Sequence, residues 1–450
     1  MSGTANGNSV GVGLIGFGTI GTGVVKVLRD NAEEIEARLG RPLRMVRIAD
    51  LDLDSDRGVD LADIRFDADA SALIADPAVD IVIELIGGYD VPRKLILEAL
   101  GAGKPVVTAN KALLALHGRE VFGAAAAAGL DVGFEAAVGG GIPILRSLRE
   151  GLAANRIESV LGILNGTTNY VLSEMESTGE DFEVVLKRAQ ELGYAEADPT
   201  FDVDGIDAAH KLALLTTMAF GAELTFEEIP TEGIRGLLPI DFELASEFGY
   251  RIKLLGIAKC HRGEDGDERI EACVQPALVP SSSLLAKVDG AMNAVEVRGN
   301  AVGPTLYYGA GAGEMPTASA VVADLIEIAR EIGRADAGSV APLSYRPEHI
   351  APKPVLPESE RVGRAFLRFT TREASGILGR IVSGLEAAGV APEKVVSHPA
   401  TGRGAGASSV IVVLTRPASE ADLERAMETL AADADVIERP RRIRIEEEEG

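Results

Sequence analysis

Tryptophan is absent from this 450-residue chain, cysteine occurs twice and histidine five times. Two cysteines in a chain this long suit a reducing cytoplasm, and Cys260 and Cys273 lack the companion ligands of a metal site. Positive charge is scarce as well: 44 Lys and Arg against 69 Asp and Glu leave a net charge of -25, which disfavours nucleic acid and anionic membranes as partners. No uninterrupted apolar run approaches the ~18 residues of a membrane span. The first ten residues are small and polar, with none of the character of a signal peptide, so disorder is expected there and a cytoplasmic location for the protein. The histidines are scattered; on a helix His210 points about 100 degrees away from its neighbour Lys211, and none is given a catalytic role. What the chain has in quantity is glycine, 51 residues, and aliphatic side chains, the makeup of an α/β enzyme. The length allows about three domains.

Negative charge is concentrated in AQELGYAEADPTFDVDGIDAAHK, residues 189–211, which carries six carboxylates and one lysine. Residues 205–220 have helix-forming composition, with Leu212, Leu215 and Ala219 at helical spacing and Asp204 as the expected N-cap. Asp207 and Lys211 are then one turn apart on one face, the acid nearer the positive helix N-terminus. For a lone pair at this spacing, a solvated surface ion pair is the commoner reading. The preceding loop argues otherwise. It carries Gly193, Pro199, Glu196, Asp198 and Asp202, and such a loop is costly unless it lines a site.

At the other end, residues 10–15 read as an apolar strand running into GFGTIG and then a helix over 22–29. This is the dinucleotide fingerprint in its required context: Gly16 for the tight turn, Gly18 for backbone approach to the pyrophosphate, Gly21 for close helix packing, with Phe17, Thr19 and Ile20 between them. The alternative is a tight βα turn of some other α/β protein. A second strand over 44–49 ends in Asp50, placed to hold a ribose; the nearest arginine is Arg57, which leans toward NAD over NADP. A buried strand over 80–86, a helix over 91–102 and a strand over 105–108 follow, and the last ends in TANK, putting Lys111 at a strand's C-terminal edge. The GGG run after Glu135 marks backbone that comes close to something or adopts positive φ, or an ordinary strand-to-helix turn.

The fingerprint, TANKALLA at 108–115, FEAAVGGGIPI at 134–144, NGTTNY at 165–170 and the acidic segment, in this order, resemble homoserine dehydrogenase over about residues 10–335. That resemblance implies interconversion of L-homoserine and L-aspartate 4-semialdehyde with NADP or NAD, on the branch leading to threonine and methionine. It implies Lys211 as proton donor, Lys111 beside the nicotinamide and substrate, Glu196 and Asp207 binding the amino acid, and Asp202 supporting the site. It adds a monovalent cation, Na+, on Glu135 and the carbonyls of Val138, Gly140 and Ile142, and cofactor contacts at Gly193 and Gly313. By the same resemblance the protein is a homodimer or homotetramer.

The expected organisation is a Rossmann-type doubly wound α/β nucleotide domain over 1–156 and 303–341, with the helix after the Gly-rich loop near 307 returning to it. An α+β substrate and dimerisation domain covers 157–302. A Pro-rich segment over 342–360 reads as a semi-rigid spacer. After it, 361–450 shows the order βαββαβ and resembles an ACT domain, a ferredoxin-like module that binds amino acids; its ~80 residues suffice for a marginal independent core. The family's Asp-x-Pro-Gly turn is here REASG, with Gly376 kept and Ser375 in the proline position. Threonine is the expected effector, against the alternative of a module that only dimerises. The closing IEEEEG reads as a solvated tail. Two rival readings remain. An acylating semialdehyde dehydrogenase needs a nucleophilic cysteine in a glycine-rich setting, and a non-catalytic sensor has no use for Lys111, Glu196, Asp207 and Lys211 together.

Overall fold

The computed structural model describes residues 9–263, 266–332, 340–372, 374–401 and 408–447. They form two compact units, the first from residues 1–166, 207–229 and 292–353, the second from 167–206, 230–291 and 354–450. Among the described residues no helix is long and apolar enough to cross a membrane.

The first unit is built on six parallel strands: β1 (Val10–Ile15), β2 (Leu43–Ala49), β3 (Arg65–Asp67), β4 (Ile81–Glu84), β5 (Val106–Thr108) and β6 (Val132–Gly133). Their spatial order is β3-β2-β1-β4-β5-β6, so the direction of winding reverses between β1 and β4. That reversal opens a crevice at the C-terminal ends of the strands, where such sheets bind dinucleotides. Every residue of β1 and β4 is buried, as a strand covered on both faces requires. Helix α1 (Thr19–Asp30) follows β1 and α2 (Lys111–Ala128) follows β5. Helix α3 (Ile206–Phe220) is apolar nearly all round and almost wholly buried. Helix α4 (Glu314–Glu331) returns to the sheet: Ala318, Val321, Val322 and Leu325 share one core with Val24, Val25 and Leu28 of α1 and Val12 and Leu14 of β1. The same unit holds an antiparallel ribbon in which β8 (Met292–Gly299) pairs with β7 (Ile157–Ile163) on one side and β9 (Gly303–Ala310) on the other.

In the second unit a hairpin pairs Tyr250–Arg262 with Glu268–Pro280 in unbroken register. The C-terminal βαββαβ follows, with strands Val362–Arg372, Pro392–Thr401, Ser408–Thr415 and Arg441–Ile445 and helices Ile377–Ala387 and Glu420–Ala431. Its strands lie in the order fourth, first, third, second, and the fourth also pairs in parallel with the hairpin at Ala277 and Leu278. Period-two alternation explains the layering. Ala365, Leu367 and Phe369 pack under the two helices, while Phe366 meets Phe248 edge-on at 6.4 Å and Arg368 holds Asp241 of helix Pro239–Glu247 at 2.6 Å.

Three expectations change here. The Pro-rich segment is docked rather than a spacer: Lys353 Nζ caps the Phe220 carbonyl of α3 in the first unit (2.7 Å), and in the second Leu356 is buried and its N–H donates to Ile270. The C-terminal module packs its own core under its two helices but is not set apart, since its last strand pairs with the hairpin and one compact unit holds both. The acidic tail is partly structural: Glu446 is buried beside Arg444 and Lys259, and Glu447 takes the Tyr250 hydroxyl at 2.9 Å, because arginine and lysine at the strand edge supply counter-charges. Residues 1–8, 448–450 and Glu373 of the REASG turn lie outside the described residues; Val10 already belongs to β1, and Gly376, at φ +82°, immediately precedes helix Ile377–Ala387.

Candidate active site

The glycine loop has the geometry its spacing predicts. Gly16 sits at φ +96°, where a side chain would be strained, and a Cβ on Gly21 would lie 2.3 Å from the Gly16 carbonyl oxygen. A Cβ on Gly18 would meet nothing within 4 Å, leaving the backbone open on the side where a pyrophosphate approaches. Phe17, Thr19 and Ile20 lie between them, the last two opening α1. Asp50, just past β2, accepts the Phe17 N–H and so fixes the loop. The lean toward NAD from the lack of a nearby arginine does not survive folding. Arg57 folds back across Phe17, 5.0 Å from its ring centroid, and lies 3.7 Å from the Asp50 carboxylate. Seven residues of sequence separation are cancelled by one turn of the 52–58 loop.

At the edge of β5, Asn110 caps α2 by accepting the Leu113 N–H, and Lys111 is the helix's first residue. Glu84, unmarked in the sequence, and Thr108 of the TANK run hold this turn: Thr108 Oγ1 donates to Glu84 Oε2 (2.7 Å) and accepts the Asn110 N–H. Burial raises the Glu84 pKa, and its two oxygens accept from Thr108 Oγ1 and the Ile86 N–H (2.8 Å), making it a hydrogen-bonding post at the strand ends.

Lys111 reaches Asp207, with its Nζ 3.2 Å from Oδ1. On α3 itself Lys211 Nζ donates to Asp207 Oδ2 (2.6 Å) and to the Leu164 carbonyl (2.7 Å), and Asn165 Nδ2 also donates to Oδ2 (2.9 Å). The Asp207 and Lys211 side chains are 6% and 10% exposed, so this is no surface pair. Burial alone would raise the Asp207 pKa. The charges of Lys211 and Lys111 and the hydrogen bonds from Lys211 and Asn165 outweigh it and hold the carboxyl well below the usual carboxylate range. Asp207 is therefore an anion at any working pH, one carboxylate between two ammoniums. Asn165 was legible only as part of NGTTNY. The Leu164 carbonyl gave no sequence signal. His210 turns away from Lys211, edge-on to Phe226 at 4.3 Å between ring centroids, and burial lowers its pKa.

Asp204 is not the cap of α3: its carboxylate is taken by Arg235 at 2.7 Å, and Gly205, at φ +83°, separates it from the helix. Asp204 belongs to the second unit, as do Glu196, Asp202 and Gly193. Glu196 is exposed, its backbone carbonyl accepting from Gln190; Asp202 lies in the short helix Thr200–Val203, and Gly193 ends the preceding helix turn at φ +79°.

Glu135 is buried after β6, and its two carboxylate oxygens accept the N–H groups of Leu145 (2.9 Å) and Arg146 (2.8 Å). Its own N–H donates to Asp324 of α4 (2.8 Å); burial and the neighbouring Glu135 push Asp324 up to about 8. Each Glu135 oxygen keeps a second lone pair. The resemblance adds the carbonyls of Val138, Gly140 and Ile142 in the adjoining turn, the last of which accepts the Ile144 N–H at 2.8 Å; hard oxygens of this kind are what an alkali cation takes. The GGG run is close-approach backbone: a Cβ on Gly140 would lie 2.5 Å from the Gly311 carbonyl group. Gly313, at φ +120°, ends that second loop and opens α4.

Cys273 is fully buried, and burial pushes its thiol up to about 11, the opposite of the shift a nucleophilic cysteine needs.

Two family models match the chain: one described as homoserine dehydrogenase over residues 143–326, the other as homoserine dehydrogenase, NAD binding domain, over 16–135. Homoserine dehydrogenase of Neisseria gonorrhoeae is 45% identical over 432 residues, covering 96% of this chain and 97% of the relative. That of Pseudomonas aeruginosa is 46% identical over 391 residues, covering 87% and 88%. Among solved structures, a homoserine dehydrogenase from Thiobacillus denitrificans matches with a TM-score of 0.90 at 47% identity over 98% of both chains. A hyperthermophilic archaeal homoserine dehydrogenase mutant in complex with NADPH matches at 0.60 and 26% identity, over 71% of this chain and 97% of that one.

Proposed function

The chain belongs to the homoserine dehydrogenase family, oxidoreductases that act on a CH–OH group with a nicotinamide cofactor, and from that premise we propose how its residues divide the work. One observation carries the reading: the ammoniums of Lys111 and Lys211 share the buried Asp207 carboxylate in the unit that also carries the glycine loop. Two cations on one anion leave a net positive charge, suited to an oxygen that becomes an alkoxide.

A nicotinamide cofactor held at the glycine loop would supply the hydride, which in the reducing direction goes to C4 of L-aspartate 4-semialdehyde. Lys211 gives its proton to the aldehyde oxygen as the C–O bond becomes a hydroxyl, and is left as a neutral amine; oxidation of L-homoserine runs the proton back. Asp207 and the Leu164 carbonyl hold the ammonium in place between turnovers. Lys111, on a strand's C-terminal edge, adds positive charge at the same point. The resemblance further assigns Glu196 and Asp207 to the amino acid, Asp202 to support, and Gly16, Phe17, Gly18, Thr19, Ile20, Gly21, Asp50, Gly193 and Gly313 to the cofactor.

Glu135 and the carbonyls of Val138, Gly140 and Ile142 would hold a sodium ion that tightens the glycine turn. The βαββαβ region is read as an ACT domain that binds threonine as a feedback inhibitor, in a homodimer or homotetramer serving threonine and methionine biosynthesis. Its topology supports the reading; Ser375 in place of proline is the departure.

A spectrophotometric assay of NADH and NADPH oxidation with aspartate semialdehyde tests the activity and ranks the cofactors; no oxidation with either refutes it. Titrating threonine into the same assay tests the effector, and an unchanged rate removes the regulatory claim.

A further inference from the structure

Asn293 stands second in β8, is 1% exposed and has no place in the site described so far. Its Nδ2 donates to the Leu164 carbonyl at 3.0 Å. This is the carbonyl to which Lys211 Nζ donates at 2.7 Å, so one oxygen uses both lone pairs, one on each. Leu164 lies just beyond β7, where the backbone ladder between β7 and β8 has ended at the Ala294–Ile163 pair. The Asn293 side chain therefore extends the ladder by one rung and fixes a carbonyl that backbone pairing leaves unrestrained.

The opposite side of the amide is pinned as well. A Cβ on Gly311 would lie 2.1 Å from Asn293 Cγ and Nδ2, so the second glycine loop packs its bare backbone on the amide. Gly311 in turn meets Gly140 of the GGG run. Contacts thus run without a break from the two glycine turns through the Asn293 amide to the carbonyl that holds Lys211. Asn293 Oδ1 is buried and has no hydrogen-bond partner among the described residues. An amide tolerated in that state at a strand end is doing something an apolar side chain of the same shape could not.

We propose that Asn293 is a positioning residue for Lys211: its amide orients the Leu164 carbonyl against the lysine ammonium and ties that carbonyl to the glycine loop opening α4. This rests on the reading of Lys211 as proton donor. The amide touches neither proton nor substrate; it sets where the ammonium points when the aldehyde oxygen needs it.

Asn293→Ala, in the full chain, tests it. The expected result is a fall in kcat on the order of 10²-fold, the cost of a catalytic group displaced by about an ångström, with KM for semialdehyde and cofactor unchanged. The solvent deuterium isotope effect on kcat should rise, since proton delivery becomes the slow step. A merely structural role would lower the number of active molecules and leave that isotope effect where it was. Gly311→Ala is the second variant: its new methyl displaces the amide without straining φ, and should give the same kinetic signature. The double variant should do no worse than Asn293→Ala, because the clash has been removed. Wild-type kcat in Asn293→Ala, or a reduced kcat with an unaltered isotope effect, overturns the proposal. Lys211→Ala separates the two layers. If that variant keeps its turnover, the proton-donor reading fails; if it is inactive while Asn293→Ala is normal, only the positioning role fails.

Discussion

Lys211 Nζ lies 2.6 Å from Asp207 Oδ2, one turn back along the same helix, with both side chains out of water. An i, i+4 pair on a helix surface contributes a few tenths of a kcal/mol. Buried, the same pair is a way of storing a proton at a defined point. Lys211→Ala should lower turnover ~10²–10⁴-fold, the range of general acid catalysis, while NADPH fluorescence titration shows cofactor affinity unchanged. An unimpaired variant would refute the role.

Asp207→Asn leaves two ammoniums around a neutral amide. Removing one partner of a buried pair costs ~3–5 kcal/mol, and this variant should show a loss of that order in urea unfolding together with loss of turnover. A stability equal to wild type would mean the charges are solvated after all.

The glycines of the fingerprint should separate by their surroundings. Gly21→Ala drives a methyl into the Gly16 carbonyl and should lower Tm as well as cofactor affinity. Gly18→Ala meets only open space, so Tm should hold while affinity falls, because the methyl occupies the approach of the pyrophosphate. Equal effects on Tm from both would break the assignment.

Glu271, on the hairpin strand next to the C-terminal strand, gives a pH test. Its burial would raise its pKa, but the hydrogen bond from His261 and the Arg444 charge win and hold it far below the carboxylate range. A depressed native pKa adds stability above the unfolded value of ~4.3, which disappears as pH falls toward the native value. Glu271→Gln should therefore be less stable near neutrality and show a flatter dependence of Tm on pH in the acid range. An identical acid slope in both proteins would show that Glu271 contributes nothing to it.

Much of this was legible in one dimension because the signals are local. The strand-turn-helix of 10–30 depends on alternation and three glycines within six residues, and a helix from 206 with Asp207 and Lys211 on one face depends only on 3.6-residue periodicity. Asp204 misled because capping depends on one residue's backbone, and Gly205 took that position. The leaning from Arg57 misled because distance along a loop says nothing of distance across it. Glu84, Asn293 and the Leu164 carbonyl carried no signal, since a buried polar group announces itself only through a partner far along the chain. The tail at Glu446 and Glu447 looked solvated for the same reason; its counter-charges come from Lys259, Arg364 and Arg444.

By itself, then, the sequence determined the glycine turn, the parallel strands that feed it, the helix of the acidic segment and the residue types available for proton transfer, since each follows from short-range sterics and hydrophobic period. Tertiary structure alone decided that Lys111 and Lys211 meet on one carboxylate, that this carboxylate stays ionised despite burial, and that the last strand is built into the hairpin's sheet. Those outcomes depend on the dielectric and the distances between segments some hundred residues apart, and no local rule contains either.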